Sequence, residues 1–141
     1  MPHKAHGCGS PDDWLRHAQS DLALARAGRA QGVLLGDLCF HLQQCVEKCL
    51  KAVLVQCHVS FPYTHNIAVL ITLLRKSKSK WPKKLDRCAE LTDYAVRTRY
   101  PGETNPITVV EYQQALTIAG KVLAWATTAI YANARSNTDL K

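Results

Sequence analysis

Polar side chains with a capacity for acid–base chemistry are concentrated in residues 41–52, His-Leu-Gln-Gln-Cys-Val-Glu-Lys-Cys-Leu-Lys-Ala. At helical spacing this stretch has one apolar and one polar face, and Glu47 and Lys51 form an i, i+4 pair in the favourable order. Two interpretations stay open. The polar face is either solvated, with a salt bridge that contributes roughly 0.5 kcal/mol, or buried at an interface, where Glu47 would need a neighbouring cation. That face consists of Gln44, Glu47, Lys48 and Lys51.

A metal-binding alternative exists on the same stretch, because His41, Cys45 and Cys49 share an i, i+4, i+8 face. The spacing lacks a Cys-x-x-Cys knuckle and a clear fourth ligand. We therefore expect Cys45 and Cys49 to pack as small hydrophobic residues, and we predict no metal and no cofactor. The six cysteines are expected to be free thiols.

The positive charge of the chain is concentrated in residues 75–84. This segment carries six cations and no acid, so the rest of the chain contributes only +1 to the formal net charge of +7. Such a patch can attract phosphate groups. It can equally be a solvated connector that keeps the protein soluble. The basic patch consists of Arg75, Lys76, Lys78, Lys80, Lys83 and Lys84.

Five helical segments must position these residues. Their starts are marked by Ser10 before Pro11, by Pro82, and by a Thr108–Glu111 capping box, whereas Pro62 interrupts the pattern. No segment alternates with period two over strand length, so we predict an all-α, up-and-down antiparallel bundle of four to five helices. The predicted helices span about 10–29, 33 or 37 to 57, 65–76, 82–99 and 108–134.

The predicted domain organisation is simple: residues 1–10 form a flexible leader, 11–134 the helical bundle and 135–141 a loose tail. An apolar fraction of 47% supplies one core. No uninterrupted apolar run reaches the roughly 18 residues of a membrane span, and residues 1–10 lack a signal-peptide core. We expect a cytoplasmic protein with no membrane partner. The last helix is predicted to bury Tyr112, Ala115, Leu116, Ala119, Leu123, Ala126 and Ile130.

Three motifs in register resemble the HEPN family. Gln44–Ala52 is similar to the family's Q-A-x-E-K-x-L-K-A helix, Pro62–Leu70 to its P-x-T-H-D-L-x-x-L, and Arg99–Pro101 to its R-Y-P. The opening Trp14–Leu22 also fits, so that the resemblance covers roughly residues 11–131. Each motif alone is weak, but three in order are strong. The resemblance implies a four- or five-helix bundle that commonly forms a homodimer and is often encoded beside a minimal nucleotidyltransferase.

Many members of this family are metal-independent ribonucleases with an R-x(4–6)-H motif, in which the Arg holds the scissile phosphate and the His transfers a proton. The motif is absent from this chain. No histidine follows Arg97 or Arg99 at that spacing, and none occurs after His65. The chain resembles an Arg-Tyr-Pro branch that lacks the motif, so we predict no catalytic residue. The rival hypothesis is a divergent ribonuclease toxin that uses Arg99 and His65.

The favoured hypothesis is a non-catalytic homodimer whose basic groove binds a nucleotide, RNA or a nucleotidyltransferase partner, in a toxin–antitoxin-like or stress and defence setting. In this hypothesis Arg99 binds a phosphate bidentately and Tyr100 stacks on a base. The alternative is that the arginines complement a helix C-terminus and Tyr100 packs under the loop. The proposed binding set is Lys48, Lys51, Arg97, Arg99 and Tyr100, with the basic patch as a collar.

His65 has two interpretations of its own. It is either a substitute base or, as we favour, a residue at a helix start or in a hydrogen bond between helices. Asn66 stands where the family has Asp, which removes one carboxylate that would orient the ring.

Overall fold

The computed structural model describes residues 9–96 and 106–139, with side chains described as far as Ala132. These ranges contain helices and no strand, which confirms the predicted all-α antiparallel bundle. Arg97, Arg99 and Tyr100 lie outside the described residues. The helices are α1 (Pro11–Ala30), α2 (Leu35–Gln56), α3 (Ile67–Lys76), a 3₁₀ helix (Lys83–Ala95) and α4 (Val109–Asp139).

Two helix starts are held by the side chains that the sequence indicates. The Ser10 hydroxyl accepts a hydrogen bond from the Asp13 amide at 3.1 Å, and the Asp13 carboxylate accepts one from the Ser10 amide at 3.0 Å. Thr108 and Glu111 make the same reciprocal pair at 3.1 and 2.8 Å. These capping boxes satisfy backbone donors that have no partner inside the helix.

The fourth predicted helix is present over Lys83–Ala95, and it is a 3₁₀ helix, a helix type that the sequence pattern did not specify. Its buried side chains include Leu85, Cys88 and Leu91, which are spaced by three residues. A helix with three residues per turn places such a series on one face. The apolar spacing therefore suits the tighter helix, although an α-helix would satisfy it almost as well.

Helix α2 lies at the centre of the bundle and packs against α1, α3, α4 and the 3₁₀ helix. The apolar face predicted for residues 41–52 is confirmed and continues beyond them in both directions, since all of these residues are buried: Leu38, Leu42, Cys45, Cys49, Leu50, Val53 and Leu54.

The buried stripe of α4 differs from the prediction at three positions. Val122 is fully buried, whereas Leu116 and Leu123 are half-buried at the edge of the core. Val122 lies at helical spacing from the fully buried Ala119 and Ala126, so its angular position on the helix turns it toward the core. Tyr112 closes the contact with α1 by donating from its hydroxyl to the carbonyl oxygen of Ala25 at 2.9 Å.

Helix α4 is also unusually apolar outside its buried stripe. Within the described residues, Val109–Ala132 is long and apolar enough to cross a membrane by length and composition, with a mean hydropathy of 1.3. The buried part of this segment belongs to the core of the bundle. The remaining apolar side chains leave a partly exposed outer face, to which Val110 contributes with 61% of its surface exposed.

Candidate functional site

The first candidate site is a buried carboxylate on α2. The Glu47 side chain is only 4% exposed, and each of its oxygens has a partner. The Lys51 ammonium donates to Oε2 at 3.2 Å, and Oε1 lies 2.8 Å from Nδ1 of His65. The Gln43 amide also donates to Oε1, at 3.2 Å. The Glu47–Lys51 pair that the spacing predicted is thus present, but it lies inside the protein and not on a solvated face.

The Lys51 ammonium group lies in an aromatic cage. It is 5.7 Å from the ring centroids of Trp14 and Phe61 and 6.0 Å from that of Tyr63. The electron-rich ring faces and the Glu47 carboxylate together offset the loss of hydration that the cation suffers on burial. With its side chain 6% exposed, Lys51 is engaged within the bundle and offers little charge to an external phosphate.

A second carboxylate, Asp21 of α1, has the same kind of partners. Its Oδ1 lies 3.0 Å from Nδ1 of His41, and its Oδ2 accepts a hydrogen bond from the Lys48 ammonium at 2.6 Å. The Asp21 side chain is 12% exposed, so these contacts join α1 to α2 in a mostly desolvated position. Each carboxylate therefore holds one lysine and one histidine, and Glu47 obtains its lysine from its own helix.

The carboxylate–histidine contacts have a chemical consequence. A carboxylate that binds Nδ1 fixes the orientation of the ring and favours Nε2 as the nitrogen that exchanges protons with a substrate. The His65 side chain is half exposed. The sequence interpretation treated Asn66 as the loss of an orienting carboxylate, but Glu47 supplies one from α2. Asn66 instead caps α3, accepting a hydrogen bond from the Ala68 amide at 3.0 Å. The contact between His65 and Glu47 confirms the prediction that His65 hydrogen-bonds to another element.

The structure separates the members of the predicted phosphate-binding set. Lys48 and Lys51 lie on adjacent turns of α2, but their ammonium groups bind two different carboxylates. Their proximity to Arg97, Arg99 and Tyr100 stays a prediction, because those three residues are not among the described ones.

The basic patch divides into one paired and five unpaired cations. Arg75 forms an ion pair with Asp86, whose other oxygen accepts a hydrogen bond from the Trp81 indole at 2.7 Å. The other five side chains are exposed and make no ion pair with any described residue. They are Lys76, Lys78, Lys80, Lys83 and Lys84.

A groove of about 850 Å³ lies beside this patch, between the 3₁₀ helix and α4. Its lining includes the cations Lys84, Arg87 and Lys121 and the aromatic rings of Tyr94 and Trp125. Arg87 and Lys121 are not among the residues predicted from the sequence, because they lie on two elements that are far apart in the chain. No local spacing signals that these two side chains share a groove.

The metal-binding alternative finds no support in the described residues, which contain no group of three or more histidine, cysteine or acidic side chains that could hold an ion. Cys45 and Cys49 are buried, and desolvation raises the pKa of Cys49. A raised pKa disfavours the thiolate that a metal requires. Five cysteines are free (Cys39, Cys45, Cys49, Cys57 and Cys88), and Cys8 lies outside the described residues.

Comparisons with known proteins agree with this fold. The family model of the HEPN domain matches residues 11–130, nearly the whole bundle. The structure is similar to the crystal structure of TT1696 from Thermus thermophilus, with a TM-score of 0.75 and 28% identity over 84% of this chain and 97% of that one. It is also similar to ST0689, described as an archaeal HEPN homologue, with a TM-score of 0.68 and 27% identity over 86% of this chain and 98% of that one. No curated protein matches the chain.

The bundle, its central α2 helix and the matched residues define a small all-α domain. The chain belongs to the HEPN domain family.

Proposed function

We propose that this HEPN protein acts by binding a phosphate-bearing ligand, a nucleotide or RNA, as a non-catalytic homodimer in the cytoplasm. The observation that carries the proposal is the row of five exposed lysines in residues 76–84, none of which is neutralised by a described residue. Unpaired cations on one surface raise the local concentration of anions and speed their association. Arg99 and Tyr100 remain the proposed phosphate and base contacts at the following loop.

A thermal-stability assay with recorded molecular mass tests this function. A ligand that binds only the folded state raises the melting temperature by mass action. We expect a dimer whose melting temperature rises with one class of nucleotide or short RNA, and we expect Arg99→Ala to abolish the rise. A flat response from a stable dimer would contradict ligand binding. That result would favour an assembly module for a nucleotidyltransferase, to be tested by copurification.

One observation favours the ribonuclease as a second candidate. Oε1 of Glu47 lies 2.8 Å from Nδ1 of His65 and orients the ring, and half of the His65 side chain is exposed. A histidine that is oriented by a carboxylate and open to solvent has the geometry of a general base. Cleavage of RNA by the purified protein in the presence of a metal chelator, lost on His65→Ala, would establish this function. His41→Ala is the matched control, because it removes a histidine held by the other carboxylate, Asp21. Our proposal expects no cleavage by any of these proteins.

A further inference from the structure

We propose that His41 on α2 is a phosphoryl-acceptor site, whose Nε2 atom takes a phosphoryl group from an activated donor such as a phosphoramidate or an acyl phosphate. This inference goes beyond the proposed function, because it concerns the covalent modification of a residue that ligand binding does not use. The first step is the anchoring of the ring. Nδ1 of His41 lies 3.0 Å from Oδ1 of Asp21, and a carboxylate only accepts hydrogen bonds, so Nδ1 carries the proton. The lone pair of the neutral ring is therefore on Nε2.

The second step is the access of a donor to the ring. The His41 side chain is 31% exposed, and its ring makes no hydrogen bond with a described residue other than the one with Asp21. The Phe40 ring packs edge-to-face on the His41 ring, with centroids 5.4 Å apart. A ring that is fixed in this way and partly open to solvent can present Nε2 to a donor.

The third step is the charge around the ring. As Nε2 bonds to phosphorus the ring becomes positive, and the Asp21 carboxylate at Nδ1 offsets that charge. A lone carboxylate would also repel an anionic donor, but the Lys48 ammonium pairs with Asp21 at 2.6 Å and cancels most of its field at longer range. Asp37 lies one turn before His41 and is exposed, so water and salt screen its charge. The formal net charge of +7 favours the approach of anions to the protein as a whole.

The place of His41 in its helix selects the chemistry. His41 is the seventh residue of α2, beyond the first four residues, whose amides have no partner inside a helix. The backbone of α2 therefore offers no free N–H here to bind the oxyanion of an acyl-transfer intermediate. Phosphoryl transfer has a loose transition state, and its catalysis consists mostly of positioning and of nearby charge. The geometry thus favours a phosphoryl donor over an acyl donor.

His65 has the same kind of partner, but it shares that partner. Oε1 of Glu47 lies 2.8 Å from Nδ1 of His65 and also accepts from the Gln43 amide at 3.2 Å. Oδ1 of Asp21, in contrast, has His41 as its only partner among the described residues. A carboxylate oxygen that already accepts a second hydrogen bond offers less charge to a positive ring. His41 is therefore the better acceptor, and His65 serves as a comparison within the same chain.

The transfer balances with the donor as its only co-reactant. The Nε2 lone pair of His41 forms a bond to phosphorus while the bond from phosphorus to the leaving group breaks, and the leaving group keeps that electron pair. Phosphoramidate, which carries its proton on nitrogen, loses ammonia, and an acyl phosphate loses a carboxylate. Nδ1 keeps its proton and its contact with Asp21, so the product is Nε2-phosphohistidine.

Incubation of the full chain with phosphoramidate tests the site. Phosphorus NMR identifies the modified nitrogen, and mass spectrometry under alkaline conditions, which preserve phosphohistidine, gives the rate at each histidine. We expect Nε2 of His41 to react at least about tenfold faster than His58, because a hydrogen bond to a charged group is worth at least that factor. His58 is the matched comparison, since it is exposed but contacts no carboxylate among the described residues. His41→Gln should remove the fast signal.

The variant Asp21→Asn tests the positioning role of the carboxylate. Asparagine keeps the shape and can still accept from Nδ1, but it offers no charge. The rate at His41 should therefore fall by about tenfold, while the rate at His65 should change by less than about twofold. Asp21→Glu, which returns the charge, should recover part of the rate. Thermal melting verifies that the variants fold.

Three outcomes would overturn the site. Equal rates at His41 and His58 would show that the ring is an ordinary surface histidine. Phosphorylation of His41 at Nδ1 would contradict the anchoring by Asp21. Equal slowing of His41 and His65 in Asp21→Asn would assign Asp21 a purely structural role. Because the assay contains no nucleotide and no RNA, none of these results bears on the proposed function.

Discussion

At the scale of single residues, Glu47 can be buried because three kinds of partner surround it. A lysine, a histidine and an amide approach its two oxygens, and the lysine is in turn enclosed by aromatic rings. The buried pair contributes no more to the free energy of unfolding than two well-packed apolar residues would. Removal of one member, however, leaves the other charge without compensation. The pair therefore behaves as a unit.

The first prediction follows from this dependence. Glu47→Ala should lower the free energy of unfolding by about 3–5 kcal/mol, because the Lys51 ammonium would stay buried without its counter-charge. Urea denaturation measures the change. The control is Arg75→Ala, which breaks the more exposed pair with Asp86 and should cost at most about 1 kcal/mol. Equal losses in the two variants would contradict the assigned role of burial.

The second prediction concerns the cysteine thiols and pH. Desolvation raises the pKa of Cys88 from its ordinary 9.0 to about 12. Above about pH 9 the unfolded chain loses this proton while the folded chain keeps it, so this group makes the protein less stable as pH rises from about 9 toward 12 and has no such effect at lower pH. Unfolding free energies of wild type and Cys88→Ala at about pH 7 and about pH 10 measure the effect. Wild type should be the more stable protein at about pH 7, and its advantage over Cys88→Ala should shrink at about pH 10. An unchanged difference would contradict the raised pKa of Cys88.

Sequence alone predicts some of these contacts and not others. The Glu47–Lys51 pair follows from helical spacing, and the hydrogen-bonding role of His65 follows from its place at a helix start. The contacts of Asp21 with Lys48 and His41 and the cage around Lys51 do not follow, because their partners meet only when separate helices pack. No local pattern encodes those distances.

At the scale of elements, the approach of α1 to α2 depends on a glycine. Gly28 is buried, and a Cβ atom added there would lie 2.5 Å from Cδ2 of Leu38 on α2. Leu38 is itself buried in the core, with 1% of its surface exposed, so its side chain has little room to move. Close contact of the two helices at this crossing requires a residue without a side chain.

The third prediction compares this glycine with one on α4. Gly28→Ala should destabilise the protein by about 1–3 kcal/mol through overpacking against Leu38. Gly120→Ala should stabilise it by roughly 0.5–1 kcal/mol, because alanine favours the helix and the nearest atom to the new Cβ is in the Arg26 guanidinium at 3.9 Å. Thermal melts of both variants give the signs. Stabilisation by both substitutions would show that the Leu38 side chain can move to make room for the new methyl group at little cost in free energy.

Element boundaries were predicted best where capping residues mark them. Ser10 and Thr108 begin α1 and α4 as expected, and α3 begins at Ile67 because Asn66, not His65, provides the cap. The 3₁₀ geometry of Lys83–Ala95 was not predicted, since apolar residues three apart also fit an α-helix. Helix α4 extends to Asp139, beyond its predicted end near Ala134.

At the scale of the whole molecule, α2 connects every other helix. The polar networks of Glu47 and Asp21 involve the same helix as the central apolar stripe. Loss of α2 from the bundle would expose the polar networks and the apolar stripe at once. Every other helix would also lose its main packing partner. A single cooperative unfolding transition is the expected behaviour of such a small domain.

The fourth prediction tests this cooperativity with tryptophans at separate places. Trp14 lies at the Lys51 cage, whereas Trp81 and Trp125 pack on each other beside the groove. In Trp14→Phe the remaining tryptophan fluorescence reports the groove region alone. Its urea midpoint should coincide with the midpoint of the far-ultraviolet circular dichroism, which reports all helices. Two separated midpoints would show that the groove region unfolds independently.

The fold as a whole was predictable because three motifs in register resemble one family, and the structure adopts the expected bundle. The groove was not predictable, because Arg87 and Lys121 come to line the same groove only through the packing of two elements. The proposed contacts at Arg99 and Tyr100 stay predictions, and the melting-temperature assay with Arg99→Ala tests the first of them.

The ion pairs of Glu47 on α2 and of Asp21 on α1 also limit the order in which substitutions can accumulate as this sequence evolves. A descendant that loses Lys51 first passes through a state in which the buried Glu47 carboxylate keeps only His65 and Gln43 as partners. One that loses Glu47 first passes through a state in which the Lys51 ammonium is buried without its counter-charge, and both states are destabilised. Substitutions at positions 47 and 51, and likewise at 21 and 48, should therefore be inherited together. The exposed lysines of residues 76–84 form no ion pair with a described residue, so each of them can be exchanged alone.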